Sequence, residues 1–281
     1  MVRLLVAVEC DYAGYEPFTA NRCTYCHSES MDSVRRALDL VLSECNGRAA
    51  FLIHTSPYIR RNWNDVFYTS PDYLSMWNEV VAQGGELGLH LHEEEPDGSC
   101  LYYGYPEHLE KVVSDHVRLL EEAGLRAACE STGYFGMNEW LVPILEAHEI
   151  LVNLDNIGTF TRFTGRNWAE APSRPYFADR VDVARKGDSR VLMIPLGMTD
   201  CCRGEDGLMI GRNSLRYLKS LWREIRSASS GDSACYIWVE AHRIRKDERR
   251  LVSLLRWLKS EGAELATPTE VYDSYAAARA G

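Results

Sequence analysis

Apolar residues along this chain keep two rhythms. Short, nearly continuous apolar runs predict strands at 3–9, 49–55, 86–92, 127–131, 150–155, 190–196, 234–242 and 263–267. Between them the spacing turns helical. The segment 71–83 opens on Ser70 and Pro71 and stops at Gly84-Gly85, which is start and stop chemistry for a helix. The segment 107–122 sets Leu109, Val112, Val113, His116 and Leu120 on one face. Helices are also predicted at 31–45, at 214–227 (Leu218, Leu221, Trp222, Ile225 aligned) and at 247–260 (Leu251, Leu254, Leu255, Leu258 aligned).

Strand and helix alternating from end to end predict an α/β chain with a parallel sheet under covering helices. The number of units favours a distorted (β/α)7-type barrel of parallel strands with outer helices. An open doubly wound sheet is the second choice. The whole chain, 1–281, reads as one barrel domain. Two stretches without lasting period, about 56–70 and 156–189, read as insertion loops.

Charge narrows the partners. A net charge of −10 repels phosphate backbones and anionic lipid, so nucleic acid and membrane surfaces are not expected partners. The apolar run Leu4–Val8 is too short for a secretory core, and a cytoplasmic location is expected. The nine cysteines are an odd count, which argues against a disulfide framework. Cys23, Cys26 and His27 match a haem-attachment spacing, but that chemistry needs export. A structural zinc using them with Cys201 or Cys202 is conceivable; ordinary thiols are the favoured reading.

Candidate chemistry gathers at strand ends, where parallel barrels keep their active sites. The first strand ends in Glu9, Cys10 and Asp11. The third runs into "HLHEEE", with His90 and His92 two apart and so on one strand face. The fourth ends near Glu130, the fifth at Asp155, and a late strand carries Glu240 and His242. His54 reads as a core residue.

These segments resemble the polysaccharide deacetylase family, the NodB-homology or carbohydrate esterase 4 group, as a divergent member. "GGELGLHLH" resembles its "GHEIGxHxxxH" motif, and "RRALDLVLSECNGRAAFLIHTS" its unit before the second strand. "ESTGYFGMNEWLVPILEAHEILVNLD" resembles its third motif, and the stretch from "WVEAHRIRKDE" to "TPTEVYDSY" its closing motif. The resemblance spans the chain. It implies a seven-stranded barrel and metal-dependent hydrolysis of an amide, typically an N-acetyl group on a sugar. It places the metal aspartate on Asp11, the first metal histidine on His90 and the catalytic histidine on His242. Cys10 stands where the family has its base, Glu94 where it has a second histidine, and Glu130 near its base-orienting arginine.

The expected cofactor is a divalent metal, zinc by default, with iron, cobalt or nickel fitting the same donors. Asp11 and His90 lead the ligand set, and the third ligand is His92 or Glu94. Water held by such an ion becomes a nucleophile near neutral pH. Glu9 is the expected base, with Glu130 as the alternative, and His242 the acid, oriented by Glu240 or Asp155. Asp155, Tyr134, Trp168 and Glu240 are the expected substrate contacts. Trp63, Tyr68, Tyr176 and Phe177 could join Trp168 in an aromatic wall. The expected partner is a small carbohydrate-like molecule, and the acidic replacements favour a cationic one such as an amino sugar or aminocyclitol. Two rivals stand beside the deacetylase: a non-catalytic glycan- or partner-binding barrel, and a hydrolase of a cyclic amide or ureide.

Overall fold

The structure is a computed structural model that describes residues 2–10, 27–55, 71–91, 106–161, 164–229 and 233–280. Strands β1 (Val2–Cys10), β2 (Ala50–Thr55), β3 (Glu86–Leu91), β4 (Ala127–Thr132) and β5 (Val152–Asn153) follow in chain order. Then come β6 (Tyr176–Phe177), β7 (Leu192–Met193), β8 (Ser233–Glu240) and β9 (Glu264–Leu265). Seven parallel strands lie side by side in the order β7-β5-β4-β3-β2-β1-β8. β6 adds an antiparallel edge to β7, and β9 pairs with the start of β1.

β1 is flanked by β2 and β8, and Leu4 through Val8 have no exposed surface at all. A strand covered on both faces reads as a continuous apolar run, which is why "LLVAV" does not alternate. The sheet curls far enough for β8 to approach the chain beyond β7. Isolated parallel bridges at Leu196–Tyr236 and Met209–Trp238 join the two. Between those bridges residues 198–207 leave the wall and return. The long irregular segment 156–189 wraps the same side, with β6 as its strand.

Among the described residues seven α-helices cover the sheet: α1 (His27–Cys45), α2 (Pro71–Ala82), α3 (Pro106–Glu122), α4 (Leu141–Ala147), α5 (Leu215–Ala228), α6 (Ile244–Ser260) and α7 (Pro268–Ala280). The buried residues of α3 are the five that its spacing selects, and the same holds for the four of α5. α5 starts where the Ser214 hydroxyl accepts from the Tyr217 amide at 3.2 Å. Periodicity does not predict α4 or α7. The first is two turns long, and the second buries little beyond Pro268 and Val271. α7 is fixed instead by a reciprocal cap, Thr267 with Glu270, and by Glu86 of β3, which accepts from the Thr267 hydroxyl and the Thr269 amide. No described helix is long and apolar enough to cross a membrane.

Candidate active site

Three strands place one residue each, next to last, at the same end of the barrel: Glu9 on β1, His90 on β3 and Ser131 on β4. The ladders pair Glu9 with Leu52, Leu52 with Gly88, His54 with His90, and His90 with Ser131. Strand alternation therefore points Glu9, His54, His90 and Ser131 to one face. Trp238 joins them from β8, since it pairs with Ala7, two before Glu9.

The contacts are specific. Nε2 of His90 lies 3.1 Å from Oε1 of Glu9. Nδ1 of His90 lies 3.0 Å from the Ser131 carbonyl oxygen. A carbonyl only accepts, so Nδ1 carries the proton and donates. In the neutral ring, Nε2 is then a lone pair aimed at a carboxylate oxygen. Two acceptors at that distance need something positive between or beside them, either a second proton on His90 or a cation. Glu9 is itself oriented, because Trp238 donates its indole N–H to Oε2 at 2.8 Å. The Trp238 ring lies 5.8 Å from that of His90 and 5.2 Å from that of Phe135. His54, fully buried, meets His90 edge-on at 5.9 Å. A histidine whose unused nitrogen is fixed by a backbone carbonyl, facing an oriented carboxylate, is a donor set suited to a borderline divalent ion.

No family model and no curated protein sequence matches this chain. Solved structures do. A protein from Mycobacterium smegmatis named as a polysaccharide deacetylase superposes with a TM-score of 0.67 at 13% identity, covering 99% of this chain and 91% of its own. One from Pseudomonas aeruginosa PAO1, also named as a polysaccharide deacetylase, gives 0.60 at 13%, covering 97% and 90%. The fold is that of the polysaccharide deacetylases. PuuE allantoinase has it too, at a TM-score of 0.60 and 14% identity over 98% of this chain and 90% of its own.

Within this barrel the residues singled out by sequence separate into groups. Asp11, His92 and Glu94 lie outside the described residues, as do Trp63, Tyr68, Cys23, Cys26 and the His27 side chain. Glu130 points the other way from His90: it pairs with Leu89 and Asn153, one residue out of step with Ser131. It is fully buried and accepts from Asn153 Nδ2 at 2.6 Å, while its Oε1 has no hydrogen-bond partner. Burial first, and the nearby Asp155 charge second, push its carboxyl well above the usual carboxylate range. Glu130 thus contributes neither a base nor charge to the face that carries Glu9 and His90.

Asp155 is a scaffold for the loop after β4. Its Oδ1 accepts from Ser131 Oγ at 2.9 Å and from the Thr132 amide at 2.8 Å. Its Oδ2 accepts from the Thr132 hydroxyl and, at 2.8 Å, from the Met137 amide. Burial raises its pKa even against these four bonds. Between the anchor points, Tyr134 and Phe135 both take left-handed backbone angles, φ 55 and 56. Such angles cost a non-glycine residue about 1–3 kcal/mol each. Trp168 helps to hold the turn by donating from Nε1 to the Phe135 carbonyl at 2.9 Å. Trp168 is fully buried, and Tyr176 and Phe177 are buried in β6, so these three form no exposed sugar-stacking wall.

His242 sits just past β8 with its side chain 37% exposed, and Nε2 lies 3.9 Å from Glu240 Oε2. That is too long for a hydrogen bond. The closer partner of Glu240 is Arg243, at 3.1 Å, with Arg212 at 3.8 Å. Sequence reasoning missed Trp238, His54 and the Ser131 carbonyl. Position 54 shares its parity with His90 only through the β2–β3 register, and a carbonyl leaves no mark in a sequence.

Proposed function

We propose that the chain is a metal-dependent hydrolase of C–N bonds that removes the acetyl group from an N-acetylated sugar or aminocyclitol. The observation that carries this reading is the pair of facing donors, His90 Nε2 and Glu9 Oε1, at 3.1 Å with the other imidazole nitrogen already committed. Glu9 and His90 would hold the ion, with Asp11 and either His92 or Glu94 as further donors. Both Glu9 oxygens are engaged, which suits a ligand better than a free base. A zinc-class ion bound there supplies a Lewis acid, polarising the scissile carbonyl and acidifying water.

The rest falls to the chain itself. Trp238 keeps Glu9 turned toward His90 and shields it from solvent. Ser131 keeps the His90 ring from rotating and directs its Nε2 toward Glu9. His242, on the rim two residues beyond Glu240, would protonate a departing amine, and its exposure would let it recharge from water. Glu240 balances Arg243 and Arg212.

The test is metal content of purified wild type beside His90→Ala and Glu9→Gln, with acetate release from N-acetylated amino sugars. About one equivalent of ion in wild type, lost in both variants together with activity, is the expected result. A metal-free wild type that gains nothing from added zinc would sink the proposal and leave a glycan- or partner-binding barrel. The likeness to allantoinase earns a cyclic ureide a place in the substrate panel. Metal-dependent ring opening without acetate release would move the assignment to that bond.

A further inference from the structure

A second cluster of donor atoms joins the excursion of residues 198–207 to α5. Thr199 and Cys202 bond to each other through both backbone pairs, N to O at 3.2 Å in each direction, which makes a tight turn. Arg203 pins the turn, donating to the Ala169 carbonyl at 2.7 Å and to Asp200 at 3.0 Å. The turn brings the sulfurs of Cys201 and Cys202 to 3.9 Å. Two thiolates on a tetrahedral zinc, with zinc–sulfur bonds of about 2.3 Å, stand roughly 3.8 Å apart. α5 supplies a third donor. A carboxylate oxygen of Glu224 and both sulfurs all lie within 4.8 Å of one another. Two thiols and one carboxylate converge here from separate elements, and Cys201 is exposed to entering ions.

We propose that Cys201, Cys202 and Glu224 form a second, thiolate-rich cation site that takes a thiophilic divalent ion of the zinc class. Soft sulfur donors select zinc or cadmium over magnesium or calcium. Bound there, the ion closes the excursion onto α5 and fixes the stretch of wall that carries Leu196 and Met209 against β8. This site is independent of the hydrolase reading, because none of its donors belongs to that centre.

The probe is cadmium, titrated into the reduced full-length protein and followed by the near-ultraviolet sulfur-to-cadmium charge-transfer band. Wild type should show a band that saturates at one equivalent. Cys201→Ser/Cys202→Ser should abolish it, and Glu224→Gln should weaken binding at least about tenfold, since even outer partners of metal ligands are worth 10–100-fold. The band should persist in His90→Ala and in Cys23→Ser/Cys26→Ser. A band kept by Cys201→Ser/Cys202→Ser, or lost in Cys23→Ser/Cys26→Ser alone, would overturn the proposal. So would a wild type with no band under reducing conditions. Cys201→Ser alone guards against misfolding of the double variant: it must halve the band intensity or remove it.

Discussion

Replacing Asp155 by asparagine keeps the shape and exchanges one acceptor oxygen for an NH2 group. Each oxygen of Asp155 serves one backbone amide and one hydroxyl: Thr132 N–H and Ser131 O–H on one side, Met137 N–H and the Thr132 hydroxyl on the other. Whichever way the new amide turns, one backbone N–H faces a donor and is orphaned. One hydroxyl must also rotate. A buried amide left unpaired costs about 1–3 kcal/mol, and the lost hydroxyl bond adds about 1 kcal/mol. Relief of the buried charge offsets part of this, so a net loss of about 2–3 kcal/mol is expected. For 281 residues, with an unfolding entropy of about 2.1 cal/mol/K per residue, that lowers Tm by roughly 3–5 °C. The same change loosens Ser131, whose carbonyl fixes His90, so affinity for zinc should fall about 10–100-fold as for other outer-shell losses. Calorimetry and a competitive zinc titration read the two effects separately. An Asp155→Asn protein with unchanged Tm and unchanged zinc affinity would refute the scaffold role.

Glu130→Gln should flatten the pH dependence of stability. With its folded pKa raised, Glu130 keeps its proton where the unfolded chain has lost it. The contribution of Glu130 to stability is then greatest below about pH 4.3 and falls by up to about 1.4 kcal/mol per pH unit above it, until the folded carboxyl also ionises; denaturant titrations from pH 4 to 8 with equal slopes in both proteins would contradict this. Gly88→Ala would set a Cβ 2.6 Å from both Cys129 Sγ and Leu52 Cδ2, and 2.9 Å from the Cys129 carbonyl. About 1–3 kcal/mol of overpacking is expected in urea unfolding, and Cys129→Ala should recover only part, because the carbonyl contact stays. His242→Ala should lower kcat about 10²–10⁴-fold while metal content stays at the wild-type level; loss of the ion instead would make His242 a ligand.

The barrel was largely legible because its signals are local. The α3 face from Leu109 to Leu120 and the α6 face from Leu251 to Leu258 depend on spacing within one helix, and both are buried as spaced. Strands β5 and β7 are shorter than their apolar runs, 150–155 and 190–196, because irregular segments rather than long partners flank them there. The site was harder. Glu130 ends an apolar strand just as Glu9 does, yet a one-residue step in register sends it to the opposite face. Trp168 lies in a segment without periodicity, so nothing in the sequence told a buried wedge from a surface platform.

The wall between β7 and β8 is looser than the ladders that flank β1. Along β1, β2 and β8 neighbouring strands run in unbroken register, and lengthening one would misalign the next. Between Leu196 and Met209 the chain touches its neighbour at two points and bulges outward in between. Residues could be added to or trimmed from that bulge without shifting a single rung of the cylinder. The wall beside Trp238 can therefore be reshaped from one detour, and swapping detours of different length is a direct way to alter that stretch in an otherwise unaltered frame.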